Sequence, residues 1–99
     1  MYVVREIMHC KPGKVREMVN KFKGLSSVMQ GMGLSPFRIM TDVSGEPYWT
    51  VIAEMDVDGL DGFAAMEAKV MANPDAQKAM TGYHDLIQNG RREIYKLES

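Results

Sequence analysis

The chain has 99 residues, enough for one small domain and too few for a catalytic domain with a separate cofactor domain. Hydrophobic residues make up 45% and charged residues 25%, which excludes a disordered chain. The 12 basic and 13 acidic residues leave a net charge of -1, so no basic excess points to nucleic acid or an anionic membrane.

Tyr2 to Cys10 reads as a strand rich in Val, Ile and Met. Tyr2, Val4, Glu6, Met8 and Cys10 share one face; Val3, Arg5, Ile7 and His9 share the other. Neither face is wholly polar, which suits a strand covered on both sides. Lys11-Pro12-Gly13-Lys14 breaks it. Val15, Met18, Val19, Phe22, Leu25, Ser26 and Met29 then fall on one face of a helix that Gly31 and Gly33 stop. Alternation predicts a second strand over Leu34–Val43, a short turn at Ser44-Gly45-Glu46-Pro47 and a third strand over Tyr48–Val57. In that third strand Trp49, Val51, Ala53, Met55 and Val57 form an apolar row, with Thr50, Ile52, Glu54 and Asp56 opposite.

Asp58 is the expected N-cap of a second helix, with Leu60, Phe63, Glu67 and Val70 at helical spacing. Asn73-Pro74-Asp75 ends it and starts another, whose stripe is Ala76, Ala79, Met80, Tyr83 and Ile87. Asn89-Gly90 closes this helix, and Arg91–Glu98 reads as a last strand.

The order β-α-β-β-α(α)-β predicts a single α+β domain over 1–99: a four-stranded antiparallel sheet with helices on one face. The other sheet face would carry Arg38, Met40, Thr50, Ile52 and Glu54. It mixes apolar groups with charges, so an identical chain is its expected cover. A chain this size buries only about 60–65% of its unfolded surface, which also favours a homodimer. The lone Cys10, the absence of a signal-length apolar run near the N-terminus and the lack of a membrane-length span lead us to expect a cytoplasmic protein.

Three pieces carry a family resemblance. One is the first strand running through Lys11-Pro12-Gly13-Lys14 into an amphipathic helix; another is the Gly45-containing hairpin with its aromatic-rich third strand. The third is the helix break at Asn73-Pro74-Asp75. Together they resemble the ferredoxin-like dimeric α+β barrel superfamily, and within it NIPSNAP-like and antibiotic-biosynthesis-monooxygenase-like small proteins. The resemblance implies two sheets paired into a barrel and a pocket between sheet and helices in each subunit. Its activities range from cofactor-free oxidation of aromatic phenols, through haem breakdown, to none known, so fold alone does not choose.

The candidate catalytic residues are His84, Arg38 and Glu54. His84, at the edge of the last helical stripe, is either a base or haem ligand facing the pocket, or a half-exposed helix-edge side chain. Arg38 and Glu54 are expected to meet across the hairpin, as an ion pair or as the anchor for an anionic or phenolic ligand. Trp49, Tyr83 and Tyr95 are the candidate ligand-binding aromatics, against a plain core role. Haem-degrading relatives combine an Asn, a Trp and a His; Trp49 and His84 could stand for two, and the first strand has no Asn. In the monooxygenase-like relatives a His is expected in the helix after the third strand, and Met66 falls near that place here. His9 and Cys10 alternate across the first strand, and no ligand spacing suggests a metal.

The reading is a homodimer that binds, or oxidises without a cofactor, a small apolar or aromatic molecule. The alternatives are a non-enzymatic binding or stress protein and a haem-degrading enzyme.

Overall fold

The computed structural model describes residues 1–99. Its elements are β1 (Tyr2–Cys10), α1 (Val15–Gly31), β2 (Arg38–Thr41), β3 (Thr50–Val57), α2 (Leu60–Ala72), α3 (Pro74–Ala79), a 3₁₀ turn (Tyr83–Leu86) and β4 (Ile87–Lys96). The four strands make one antiparallel sheet in the order β2-β3-β1-β4. This is the expected ferredoxin-like α+β arrangement. The Cα extents of 35 × 35 × 17 Å correspond to two layers, one of strands and one of helices.

The helix-facing rows follow the alternation read from the sequence. Val4 and Cys10 of β1 and Val51, Ala53 and Met55 of β3 are buried against Met18, Val19, Phe22 and Met29 of α1 and Phe63 and Val70 of α2. Phe22 meets Phe37 edge-on at 5.9 Å between ring centres. Buried Ser26, part of the predicted α1 stripe, accepts the Phe37 N–H at 2.9 Å. A polar residue is tolerated there because it satisfies a backbone donor that no strand reaches. Asn73 caps α3 as expected: its Oδ1 accepts the N–H groups of Asp75 (2.8 Å) and Ala76 (3.3 Å).

The hairpin and the last strand depart from expectation. β2 is four residues long, because it is an edge strand that pairs only from Arg38↔Glu54 to Thr41↔Val51. β3 starts at Thr50, where Asp42 Oδ1 takes the Thr50 N–H at 2.9 Å and Thr50 Oγ1 donates to the Pro47 carbonyl at 2.6 Å. Trp49 therefore lies outside the sheet. It has a left-handed φ of 71° and is 44% exposed, so it is not the core residue its apolar row suggested. Val43, in the same loop, is 97% exposed.

β4 begins at Ile87, and Asn89-Gly90 lies inside it rather than ending a helix. The reason is non-local: β1 offers partners along its whole length, and Lys11 donates its N–H to the Leu86 carbonyl at 2.8 Å. Gly90 pairs with Met8, and a Cβ on it would sit 2.9 Å from the Met8 sulfur. Tyr83 and His84 consequently stand on the 3₁₀ turn, not on an α-helix. At the start of α2 the N-cap is Gly59, and no side chain caps this end, so the role expected of Asp58 is not realised.

Candidate ligand cavity

A cavity of about 630 Å³ opens between the sheet and the helices. Met8, Phe22, Leu25, Phe37, Val70, Met71 and Met80 supply its apolar lining, and Glu6, Arg92, Tyr83 and His84 supply the main polar groups. The size lies in the range of small-molecule sites, and so does the pattern of an apolar wall with few polar groups. Six elements converge on it: β1 and β4 form the floor, α1 stands behind, α2 adds Val70 and Met71, and α3 with the 3₁₀ turn forms the rim. The Gly82 φ of 78° lets the chain turn sharply out of α3 and bring Tyr83 and His84 to that rim.

The floor holds a compact charge cluster. Glu6 and Arg92 are direct cross-strand partners, and Arg92 Nε–H donates to Glu6 Oε1 at 2.5 Å. From above, α2 sends down Phe63 and Glu67, one helical turn apart. Arg92 donates through both terminal nitrogens to the two oxygens of Glu67, and its guanidinium carbon lies 5.2 Å from the centre of the Phe63 ring. Burial pushes the Glu6 carboxyl above the usual glutamate range, further helped by the nearby Glu67, and the Arg92 hydrogen bond only partly offsets this. The second oxygen of Glu6 accepts no hydrogen bond from the protein.

The opposite sheet face is built differently. Arg38, Glu54, Arg5 and Glu93 face one another in register across all four strands, giving alternating charges along one row. Glu54 is the hub, only 8% exposed; it accepts from Arg5 Nε at 2.5 Å and from Arg38 at 2.9 and 2.6 Å. Burial would raise its pKa, but the hydrogen bonds of the two arginines outweigh it and hold the carboxyl below the usual range. Arg38 also reaches both oxygens of Asp56, at 3.3 and 2.8 Å. Four of its five N–H groups' worth of donation is thus committed to carboxylates. In the next row Met40, Ile52 and Ile7 lie side by side, and Ile7 is 1% exposed. His9 bridges Asn89 (2.6 Å) and Glu46 (3.2 Å), with Arg91 closing on Glu46 at 2.6 Å.

The predicted site residues are therefore divided between two places. Tyr83 and His84 line the cavity, stacked on each other with ring centres 3.9 Å apart. Arg38 and Glu54 do meet, but on the far side of the sheet. Tyr95 is on that side too, beneath the Arg5 guanidinium at 5.4 Å and donating to Glu93 at 3.1 Å. Trp49 belongs to the exposed loop before β3. Sequence reasoning missed Glu6, Arg92 and Glu67. The signals were the alternation that puts Glu6 beside Val4 and Met8, and the four-residue spacing of Phe63 and Glu67. Of the two residues the resemblance offers for haem, His84 lines the cavity beside Tyr83 and Trp49 does not. No group of three His, Cys, Asp or Glu side chains converges as a metal site would need. Cys10 is buried, and burial raises its thiol pKa, which makes it an inert core thiol.

Comparison with solved structures places the fold. A NIPSNAP family protein with unknown function from Agrobacterium tumefaciens superposes with a TM-score of 0.81 at 19% identity, over 98% of this chain and 87% of that one. An uncharacterized NIPSNAP domain protein from Burkholderia xenovorans gives 0.80 at 17% identity, over 100% and 96%. An antibiotic biosynthesis monooxygenase gives 0.74 at 11% identity, with both chains fully covered. These are the two groups that the sequence resembles, and the shared property is the fold. No protein-family model matches the chain, and no curated protein does. No helix is long and apolar enough to cross a membrane.

Proposed function

We propose that this chain, which shares the fold of NIPSNAP and antibiotic biosynthesis monooxygenase proteins, works as a homodimer whose protomers each bind a small, mostly apolar molecule between sheet and helices. The observation that carries the reading is the 630 Å³ apolar cavity with a single acid–base pair, Glu6 and Arg92, in its floor. The probe is 2-naphthol, followed by its own fluorescence. Saturable binding to the wild-type chain and a loss of about tenfold or more in Met80→Trp, which fills the cavity with a larger side chain, are expected. No saturable binding to a folded wild-type dimer overturns the reading.

The homodimer is supported by the open sheet face. A compact monomer of this mass exposes about 5,700 Å² by size scaling. This chain exposes 6196 Å², with Tyr48 and Val43 almost bare beside the face that carries Met40 and Ile52. Covering that face with a second sheet removes the excess. Sedimentation equilibrium at micromolar concentration is expected to return twice the chain mass; a folded monomer refutes the assembly.

A catalytic version of the same reading has one specific support. Glu6 is a carboxylate with a free oxygen and a raised pKa at an apolar floor, which suits it to accept a proton from a bound electron-rich molecule. That is the requirement of a cofactor-independent oxygenase or isomerase. Chemical change of a bound aromatic compound, lost in Glu6→Gln while binding persists, would mark the enzyme. Binding without turnover would mark a carrier or stress-response protein.

A further inference from the structure

We infer that Glu67 sets the specificity of this cavity: by holding the terminal nitrogens of Arg92, it closes the site to carboxylates and leaves it selective for uncharged molecules whose polar end donates a hydrogen bond. The inference rests on the cavity-binding reading above and adds to it the class of molecule admitted.

Arg92 is the one permanent cation among the lining residues. An arginine facing an apolar cavity is ordinarily the anchor for an anionic ligand, through its two-nitrogen fork. Here Glu67 takes one N–H from each terminal nitrogen and Nε is bonded to Glu6, so three of the five N–H groups are used and no free two-nitrogen fork remains. Two carboxylates surround one guanidinium, so acceptors already outnumber the cation. A further carboxylate would have to displace Glu67 from the fork or lie beside two like charges; with the Arg92 and Glu67 side chains 39% and 35% exposed, water softens that repulsion without removing it. Glu67 is held in place by its own helix, since Phe63, one turn earlier, packs on the same guanidinium. What the floor offers instead is an acceptor, the second oxygen of Glu6, which no protein group uses. A hydroxyl or amide N–H can satisfy it.

The test compares 2-naphthol with 2-naphthoate, which share a ring system and differ in the charge of the polar end, on the wild-type chain and on Glu67→Gln, with Glu67→Ala as a second variant. Circular dichroism and urea melts confirm that both variants are folded. In the wild type, naphthoate should bind about tenfold or more weakly than naphthol. In both variants the freed Arg92 fork should tighten naphthoate by about tenfold, while naphthol changes less than about threefold. If naphthol binds but naphthoate binds as well to the wild type, or gains nothing in folded variants, the specificity role of Glu67 is wrong and the cavity reading stands. If neither compound binds any folded chain, both fall together.

Discussion

On the helix-covered side of the sheet, β1 and β3 present Val4, Met8, Val51, Ala53 and Met55, and the one charge pair at the cavity is Glu6 with Arg92. On the open side, every strand contributes a charge to one row, Arg38–Glu54–Arg5–Glu93, and the neighbouring row is apolar over β2, β3 and β1, as Met40, Ile52 and Ile7, before it ends at Arg91. The same backbone thus carries two surfaces whose carboxylates behave oppositely. Glu54 accepts from two arginines, one of them shared with Asp56, and is held below the usual glutamate range, whereas burial pushes Glu6 above it and its one arginine is shared with Glu67. Burial opposes ionisation at both; two arginine hydrogen bonds outweigh it at Glu54, and one does not at Glu6.

Four substitutions test that contrast. The largest effect should come from the apolar side. Phe22, 2% exposed and shared by the core and the cavity wall, should cost about 3–5 kcal/mol as Phe22→Ala in urea melts. A loss below about 1 kcal/mol would mean that this face is not the core.

Glu54→Gln comes next. It leaves Arg5 and Arg38 without their shared partner, but both arginines are roughly half exposed, so water recovers much of the loss. About 1–2 kcal/mol is expected, well under the several kcal/mol of a fully buried pair.

Acid titration separates the two glutamates further. Because the folded pKa of Glu54 is depressed, its contribution is present above the ordinary glutamate pKa and disappears as pH falls through the folded value. The gap in urea midpoint between wild type and Glu54→Gln should therefore close in acid. Glu6 has a raised folded pKa, so its ionisation destabilises the fold as pH rises through the carboxylate range. Glu6→Gln should gain on the wild type at neutral pH and lose that gain in acid; a parallel pH course for both variants would erase the contrast. The smallest effect belongs to neither face. Lys14 and Glu17 pair at 3.5 Å on the outer surface of α1, and Lys14→Ala should stay within about 0.5 kcal/mol of wild type.

Much of the helix layer was legible from local pattern. The stripe Met18-Val19-Phe22-Ser26-Met29 is the buried face of α1, and Asn73-Pro74-Asp75 is the start of α3. Such features depend on neighbours within one or two turns, which is the range that periodicity and capping report. The hairpin partners Arg38 and Glu54 were also accessible, since antiparallel register follows from the intervening turn. The start of β4 was not, because Asn89-Gly90 has the chemistry of a turn and only the full length of β1 overrides it. Trp49 was misplaced because an alternating row does not reveal where Asp42 and Thr50 close the hairpin.

By itself, then, the sequence determined the order of elements, the α+β fold class and which side of β3 meets the helices, because these depend on short-range periodicity. Tertiary structure decided where the charges meet. Glu6, Glu67 and Arg92 come from three separate elements, with Glu6 and Arg92 separated by 86 positions along the chain, and their juxtaposition depends on the strand order β3-β1-β4 and on the rotation of α2 above it. Local pattern places Glu6 and Glu67 on inward faces of their elements, but it does not show that they meet one arginine. Only when the chain closes do two carboxylates compete for one guanidinium at the floor of an apolar cavity.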